Sequence, residues 1–350
     1  MLTKPTFAVV TAVLALGLGA YETGANAAPP EFALAGPIKI KQCQIIDESG
    51  SYRLVDNLPG AGGFLDSGNC IEVTVGDVVL DLAGQTISGS TGIITAIGIL
   101  IEGSALTNVE VHNGTVRDFL GEAGISAPDL GNQGFRIINV RVVSNAGNGI
   151  FLQGAGHLVK DNTVVDNGTV PTAAGNDGIF VGDSGATVTG NTAFGNARNG
   201  ILSGIGSTVT GNTAANNQRG IRSRDNSTVA YNTVTNNSVG ISAASNSLIY
   251  GNTASNNTTG IGVNFRNLVK GNILAKNQEG IFALGDFNVF EENLLVGNTN
   301  GGNAGGILLG NSANDNFCDN NRFADNTNDV LKIGGAVGTN PFCSDNTVFD

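Results

Sequence analysis

The sequence predicts an all-β solenoid, a parallel β-helix built of three-stranded coils. Three observations carry this reading. Gly200, Gly220, Gly240, Gly260 and Gly280 recur every 20 residues, and each is followed by isoleucine. A fixed period of this length marks a solenoid in which each repeat is one turn stacked on the next. The repeat unit holds no helical period and breaks at polar turns into three short extended pieces. Aligning the repeats then stacks apolar residues into three separate columns.

The Gly-Ile step continues upstream at Gly178, Gly149, Gly124 and Gly98, and downstream at Gly306, with spacings of 22 to 29 residues. Extra residues in a solenoid enter the turns, so strand columns stay aligned while loops lengthen. Residues 220–239 show the content of one unit. Gly-Ile-Arg-Ser-Arg, Ser-Thr-Val-Ala and Thr-Val-Thr read as strands, and Asp-Asn, Tyr-Asn and Asn-Asn read as the breakers between them. Asn and Asp suit such corners because they tolerate the left-handed region and bond to nearby backbone.

The three apolar columns are Ile201, Ile221, Ile241, Ile261, Ile281; then Val209, Val229, Ile249, Val269; then Ala214, Val234, Ala254, Leu274. Each coil thus offers three apolar points to one axis, which makes the cross-section triangular. Asparagines stack as well. Asn212, Asn232, Asn252 and Asn272 form one column, extended by Asn191 and Asn293, and Asn217, Asn237, Asn257 and Asn277 form another. Identical amides in stacked strands can bond above and below as a ladder. Other repeats of similar period are excluded by residue type. Leucine-rich repeats need closely spaced Leu, a hexapeptide helix needs a six-residue beat, and Ca²⁺-binding nonapeptides need Gly-Gly-x-Gly-x-Asp.

Residues 1–27 read as a secretory signal, with Lys4, the apolar run Phe7 to Ala20, and the small-residue site Ala25-Asn26-Ala27. Residues 28–95 are expected to hold the N-terminal segment and first coils. Residues 96–350 hold the repeats and a C-terminal cap, all in one continuous solenoid of about twelve coils stacked ~4.8 Å apart. No other apolar run is long enough to span a membrane, so the protein is expected in the periplasm or outside the cell. The four cysteines fit that compartment, with Cys43–Cys70 and Cys318–Cys343 expected to pin the two ends. Metal binding by these cysteines is the weaker reading, since no Cys-x-x-Cys or nearby His supports it. A net charge of −12 argues against nucleic acid, which requires a basic face.

Two N-terminal stretches carry a resemblance. Cys70-Ile-Glu-Val leads into Asp77-Val-Val-Leu-Asp-Leu-Ala-Gly-Gln-Thr-Ile-Ser-Gly89, preceded by Gly50-Ser-Tyr-Arg-Leu. This resembles the first coil of right-handed parallel β-helix proteins of the pectate-lyase-like superfamily, where His often stands in place of Gln85. The likeness covers residues 40 to 348. It implies a right-handed coil and speaks less to activity, because that superfamily spans pectate lyases, polygalacturonases, alginate epimerases, copper-loading periplasmic proteins and members without known activity.

The superfamily's catalytic sets are incomplete here. Asn176-Asp177-Gly178 resembles the first polygalacturonase element, with Asp183 nearby, but no Asp-Asp pair or Gly-His-Gly follows. No Asp-Pro-His-Asp of the epimerase kind occurs. Arg222, Arg224 and Asp225 share a coil, with Asp183 two coils earlier, which is the residue content of a lyase site without its motif. Asp177, Asp183 and Asp225 read first as turn residues that satisfy local amides. His112 and His157 lie in strand-like segments and read as surface or stacking residues rather than ligands. No cofactor is expected, and Ca²⁺ enters only in the lyase-like reading.

One surface feature points to binding. In each Gly-Ile strand the isoleucine faces inward and the next residue outward. That outward column reads Phe151, Phe180, Leu202, Arg222, Ser242, Gly262, Phe282 and Leu308, with Arg198, Arg219, Arg224 and Arg266 near its middle. Exposed aromatics beside arginines suit stacking on sugar rings and pairing with uronate carboxylates. Phe151, Phe180, Arg222, Arg224 and Phe282 are therefore the expected glycan-binding residues, and a polysaccharide is the expected partner. The rival readings are an enzyme acting on an acidic glycan and a structural or adhesive surface protein.

Overall fold

The computed structural model describes residues 36–58, 63–89, 92–169, 176–299, 305–310, 313–332, 342–343 and 346–349. The expected signal segment, residues 1–27, lies outside them. Residues 37–350 form one unit. Every strand pairing in it is parallel, and each strand pairs with its counterpart one coil further on. Arg219–Ser223, Thr228–Ala230 and Thr233–Thr235 are the three strands of a typical coil, as the repeat predicts. Among the described residues the ten Gly-Ile strands, with Gln44–Ile46 and Ile71–Val73 before them and Val330–Lys332 after, form a 13-stranded sheet, one more rung than the expected dozen. The other two faces merge into a single pairing network. They do so because the long strands Val109–Arg117 and Arg136–Val143 each span both faces before the coils settle into short strands.

All three apolar columns are buried. Ile221, Val229 and Val234 have no exposed surface, and neither do their partners above and below. The strand alternation places them there, and stacking in register turns each column into a continuous ridge of one core. The glycine before each isoleucine is fixed by close approach rather than by its φ. A Cβ on Gly220 would sit 2.6 Å from the Gly240 carbonyl oxygen of the next coil and 2.9 Å from Asn237 Nδ2.

The corners follow one rule. A residue in the left-handed region ends a strand, and the next residue turns a polar side chain inward. Tyr231 at φ 55° precedes Asn232, and Asn236 at φ 54° precedes Asn237. Asn232 Oδ1 accepts from the backbone N–H and the Nδ2 of Asn212, at 2.9 and 3.0 Å. Its own Nδ2 donates to the Val209 carbonyl and to Asn252 Oδ1, both at 3.0 Å. Each amide therefore ties three coils, and the pattern runs from Asn162 to Asn346 in one ladder and from Asn145 to Asn326 in the second. A third ladder, with no single residue type, occupies the remaining corner as His157, Ser227, Ser247, Asn267 and Asn288.

Cys43 and Cys70 are bonded across adjacent coils. Cys318 is also disulfide-bonded, and its strand stands in register with Cys343. The Cys343 side chain, and with it the expected Cys318–Cys343 pairing, lies outside the described residues. Among the described residues no helix is long and apolar enough to cross a membrane.

Candidate functional site

The outward column of the Gly-Ile sheet exists as the alternation requires. Phe151, Phe180, Leu202, Arg222, Ser242, Gly262, Phe282 and Leu308 stand in unbroken register. Facing outward does not make them accessible. Phe151 is only 8% exposed, Leu202 5%, and Leu308 not at all. The Phe180 ring lies against Phe151 with centroids 4.8 Å apart and planes 29° apart. The stack that aligns the two rings thus hides the first, which corrects the expectation that Phe151 presents an open platform. Phe180 and Phe282 are half-buried.

Arginine dominates the middle of this face. Arg222 and Arg224 are exposed and Arg219 half-buried. Among the described residues no ion pair or side-chain hydrogen bond engages these three. Burial, followed by the charges of Arg219 and Arg198, pulls Arg222 below the ordinary arginine pKa. Arg198, Arg219 and Arg224 therefore stand within electrostatic reach of Arg222, in a chain whose net charge is −12.

Arg198 differs. It forms a bidentate pair with Asp177, Nε to Oδ1 at 2.9 Å and Nη2 to Oδ2 at 2.8 Å. Asp177 is fully buried, and its Oδ1 also accepts from the backbone and side-chain nitrogens of Asn199, at 3.1 and 2.7 Å. The carboxylate that resembles a hydrolase element is thus a strut between two coils, bound by its neighbour rather than by local turn amides. The hydrogen bond from Arg198 to Asp177 raises the arginine's pKa. Asp225 accepts the Ser245 N–H of the next coil at 2.7 Å. Asp225 behaves as a corner residue, whereas Asp183, at φ 45°, lies in the strand Ile179–Ser184 where its register with the next strand shifts.

The histidines are accounted for separately. His157 is buried in the third ladder. Its Nδ1 lies 3.1 Å from the donating Phe135 N–H and its Nε2 2.9 Å from the Gln153 carbonyl, so the ring is neutral and carries its proton on Nε2. Burial pushes its pKa down. His112 stands on another face between Asp81 and Glu110, at 3.7 and 3.9 Å. Arg266 lies 5.7 Å over the Phe287 ring at a corner. Among the described residues no three His, Cys, Asp or Glu side chains converge as a metal site. An open polar groove borders the arginine face on its turn row, lined by Asn236, Ser238, Asn256, Thr258, Lys276 and Gln278.

A family model described as a right handed beta helix region matches residues 97–247. The chain has the right-handed parallel β-helix fold. Among solved structures, this β-helix is similar to the Dettilon tailspike protein, with a TM-score of 0.52 and 16% identity over 84% of the chain. It spans 60% of the length of that tailspike. It is similar at a TM-score of 0.52 and 15% identity to a mutant of the periplasmic alginate epimerase AlgG, covering 80% of this chain and 75% of that one. No curated protein sequence matches the β-helix.

Arg219, which the sequence places near the middle of the column, opens the strand that carries Arg222. One residue of the site escaped sequence reasoning. Glu279 opens the strand that carries Phe282 and places a carboxylate on the same face.

Proposed function

We propose that the protein binds an acidic polysaccharide along the outer face of its Gly-Ile sheet. The observation that carries this reading is the trio Arg219, Arg222 and Arg224, charged and unpaired on a face that presents Phe180 two rungs before them and Phe282 three rungs after. Guanidinium groups without internal partners are free to make charge-assisted bonds to carboxylates, and half-exposed rings add area for stacking on sugars. A working place outside the cytoplasm is part of the proposal, supported by the Cys43–Cys70 bond. The alginate epimerase that shares the fold is named for an acidic polysaccharide, which agrees with this reading.

The test is a titration with polygalacturonate, alginate and hyaluronan beside neutral glucans, with products monitored in parallel to separate binding from cleavage. Binding to acidic polymers that weakens with salt, and that falls about tenfold or more in the double variant Arg222→Ala, Arg224→Ala, is expected. Binding of none of the acidic polymers, or equal binding by the double variant, would overturn it.

A further inference from the structure

Charge on this face is confined to single rungs. The strand Arg219–Ser223, with Arg224 just beyond it, carries three arginines. The next two rungs, Val239–Ala243 and Thr259–Val263, contain no charged residue. The rung after them, Glu279–Ala283, opens with a carboxylate. Glu279 Oε2 accepts from Thr259 Oγ1 at 2.8 Å, which turns the carboxylate back toward the arginine rung. On the other side, the rungs of Leu202, Phe180 and Phe151 present apolar side chains, Arg198 and Asp177 pair with each other, and the end of the Phe180 strand holds the half-buried Asp183.

From this pattern we infer that the preferred ligand is a glycan whose anionic sugars are separated by uncharged ones, rather than a polyuronate charged at every residue. The inference rests on the acidic-polysaccharide reading and narrows it. Phe180, Arg222 and Phe282 share one column, so a polymer that touches all three runs along the coil axis. One sugar in an extended chain advances it by about one rung, ~4.8 Å. A carboxylate on every sugar would gain the arginine rung once. It would then cross two rungs with no cation and meet Glu279 about three rungs on, where like charges repel. A chain with one carboxylate on every second sugar keeps the arginine contact and can place an uncharged ring over Phe282 and Glu279.

The experiment compares a hyaluronan decasaccharide, with a uronate on every second sugar, against an oligogalacturonate of the same length, by calorimetry at physiological salt. Charge attraction alone ranks the more densely charged oligogalacturonate first; the inference predicts that hyaluronan binds more tightly. Glu279→Gln keeps an acceptor for Thr259 and removes the charge. It is expected to tighten oligogalacturonate by about threefold or more while hyaluronan stays within about twofold. Tighter binding of oligogalacturonate by the wild type, or a Glu279→Gln variant that shifts both ligands alike, would overturn the inference and leave the broader reading standing. Binding of neither oligomer, nor of any acidic polymer, would remove both.

Discussion

At Gly240 an added Cβ would lie 2.5 Å from the Gly260 carbonyl oxygen. That neighbour is backbone of the next coil and cannot step aside without breaking its own ladder bonds. Gly240→Ala is therefore expected to cost about 3 kcal/mol, although alanine ordinarily favours an ordered chain over glycine. Chemical denaturation of the variant beside wild type measures it; a change below about 1 kcal/mol would mean that the coils can separate locally. Lys276, in the left-handed region at φ 57°, is the reverse case. Asn occupies the matching corner at Asn236 and Asn256, so Lys276→Asn is expected to stabilise by roughly 0.5–1 kcal/mol.

His157 gives the residue scale a pH dependence. Its folded pKa lies below the ordinary value because burial disfavours the imidazolium. A group with a depressed folded pKa stabilises the fold above its unfolded pKa, about 6.5 for histidine, and that stability is lost as the pH falls from there. His157→Asn retains an acceptor for the Phe135 N–H, as Asn does for the equivalent N–H groups elsewhere in the ladders, and cannot titrate. The variant is expected to lose less stability than wild type between pH 7 and pH 5. Parallel thermal melts across that range decide the matter, and identical slopes would show that His157 does not control it.

At the scale of one coil, the unit that matters is the corner, because it joins a backbone conformation to a buried amide. Asn232→Asp tests this with almost no change in shape. The carboxylate can still accept from Asn212, but it cannot donate to Val209 or Asn252, and it brings a charge into the core. A loss of about 3 kcal/mol is expected at neutral pH, shrinking as acid protonates the group. The same corners explain what could be read in advance. Two ladders were visible because asparagine repeats at a fixed offset. The third was not, since Ser227, Asn267 and His157 fill equivalent positions with different chemistry, and only geometry shows them to be equivalent. Strand faces were legible for the same reason. Alternation states which way Phe151 points, but not that Phe180 lies over it. In the sequence Arg198 reads as available as Arg222; the fold brings Asp177, 21 residues earlier, against it.

Among the described residues of 37–350, strands pair with those of adjacent coils alone, so cohesion is a sum of coil stabilities and nearest-neighbour interfaces. The ends then matter more than their share of residues. Among the described residues, the first coil, beginning with Ile38–Ile40, pairs with a neighbour on one side only, and Ile38 and Ile45 are each half exposed. Cys43–Cys70 ties this coil to the next across a separation of 27 residues. Closing a loop of that length is worth roughly 3–4 kcal/mol in the chain-entropy account. The double variant Cys43→Ser, Cys70→Ser is therefore expected to open at the N-terminal end while the middle stays closed. Hydrogen exchange should rise over residues 38–54 and 71–81 and stay at wild-type levels over residues 219–283. Uniform acceleration along the chain would mean that the solenoid unfolds as one cooperative block; no acceleration at the N-terminal end would mean that the bond adds nothing to stacking already sufficient there.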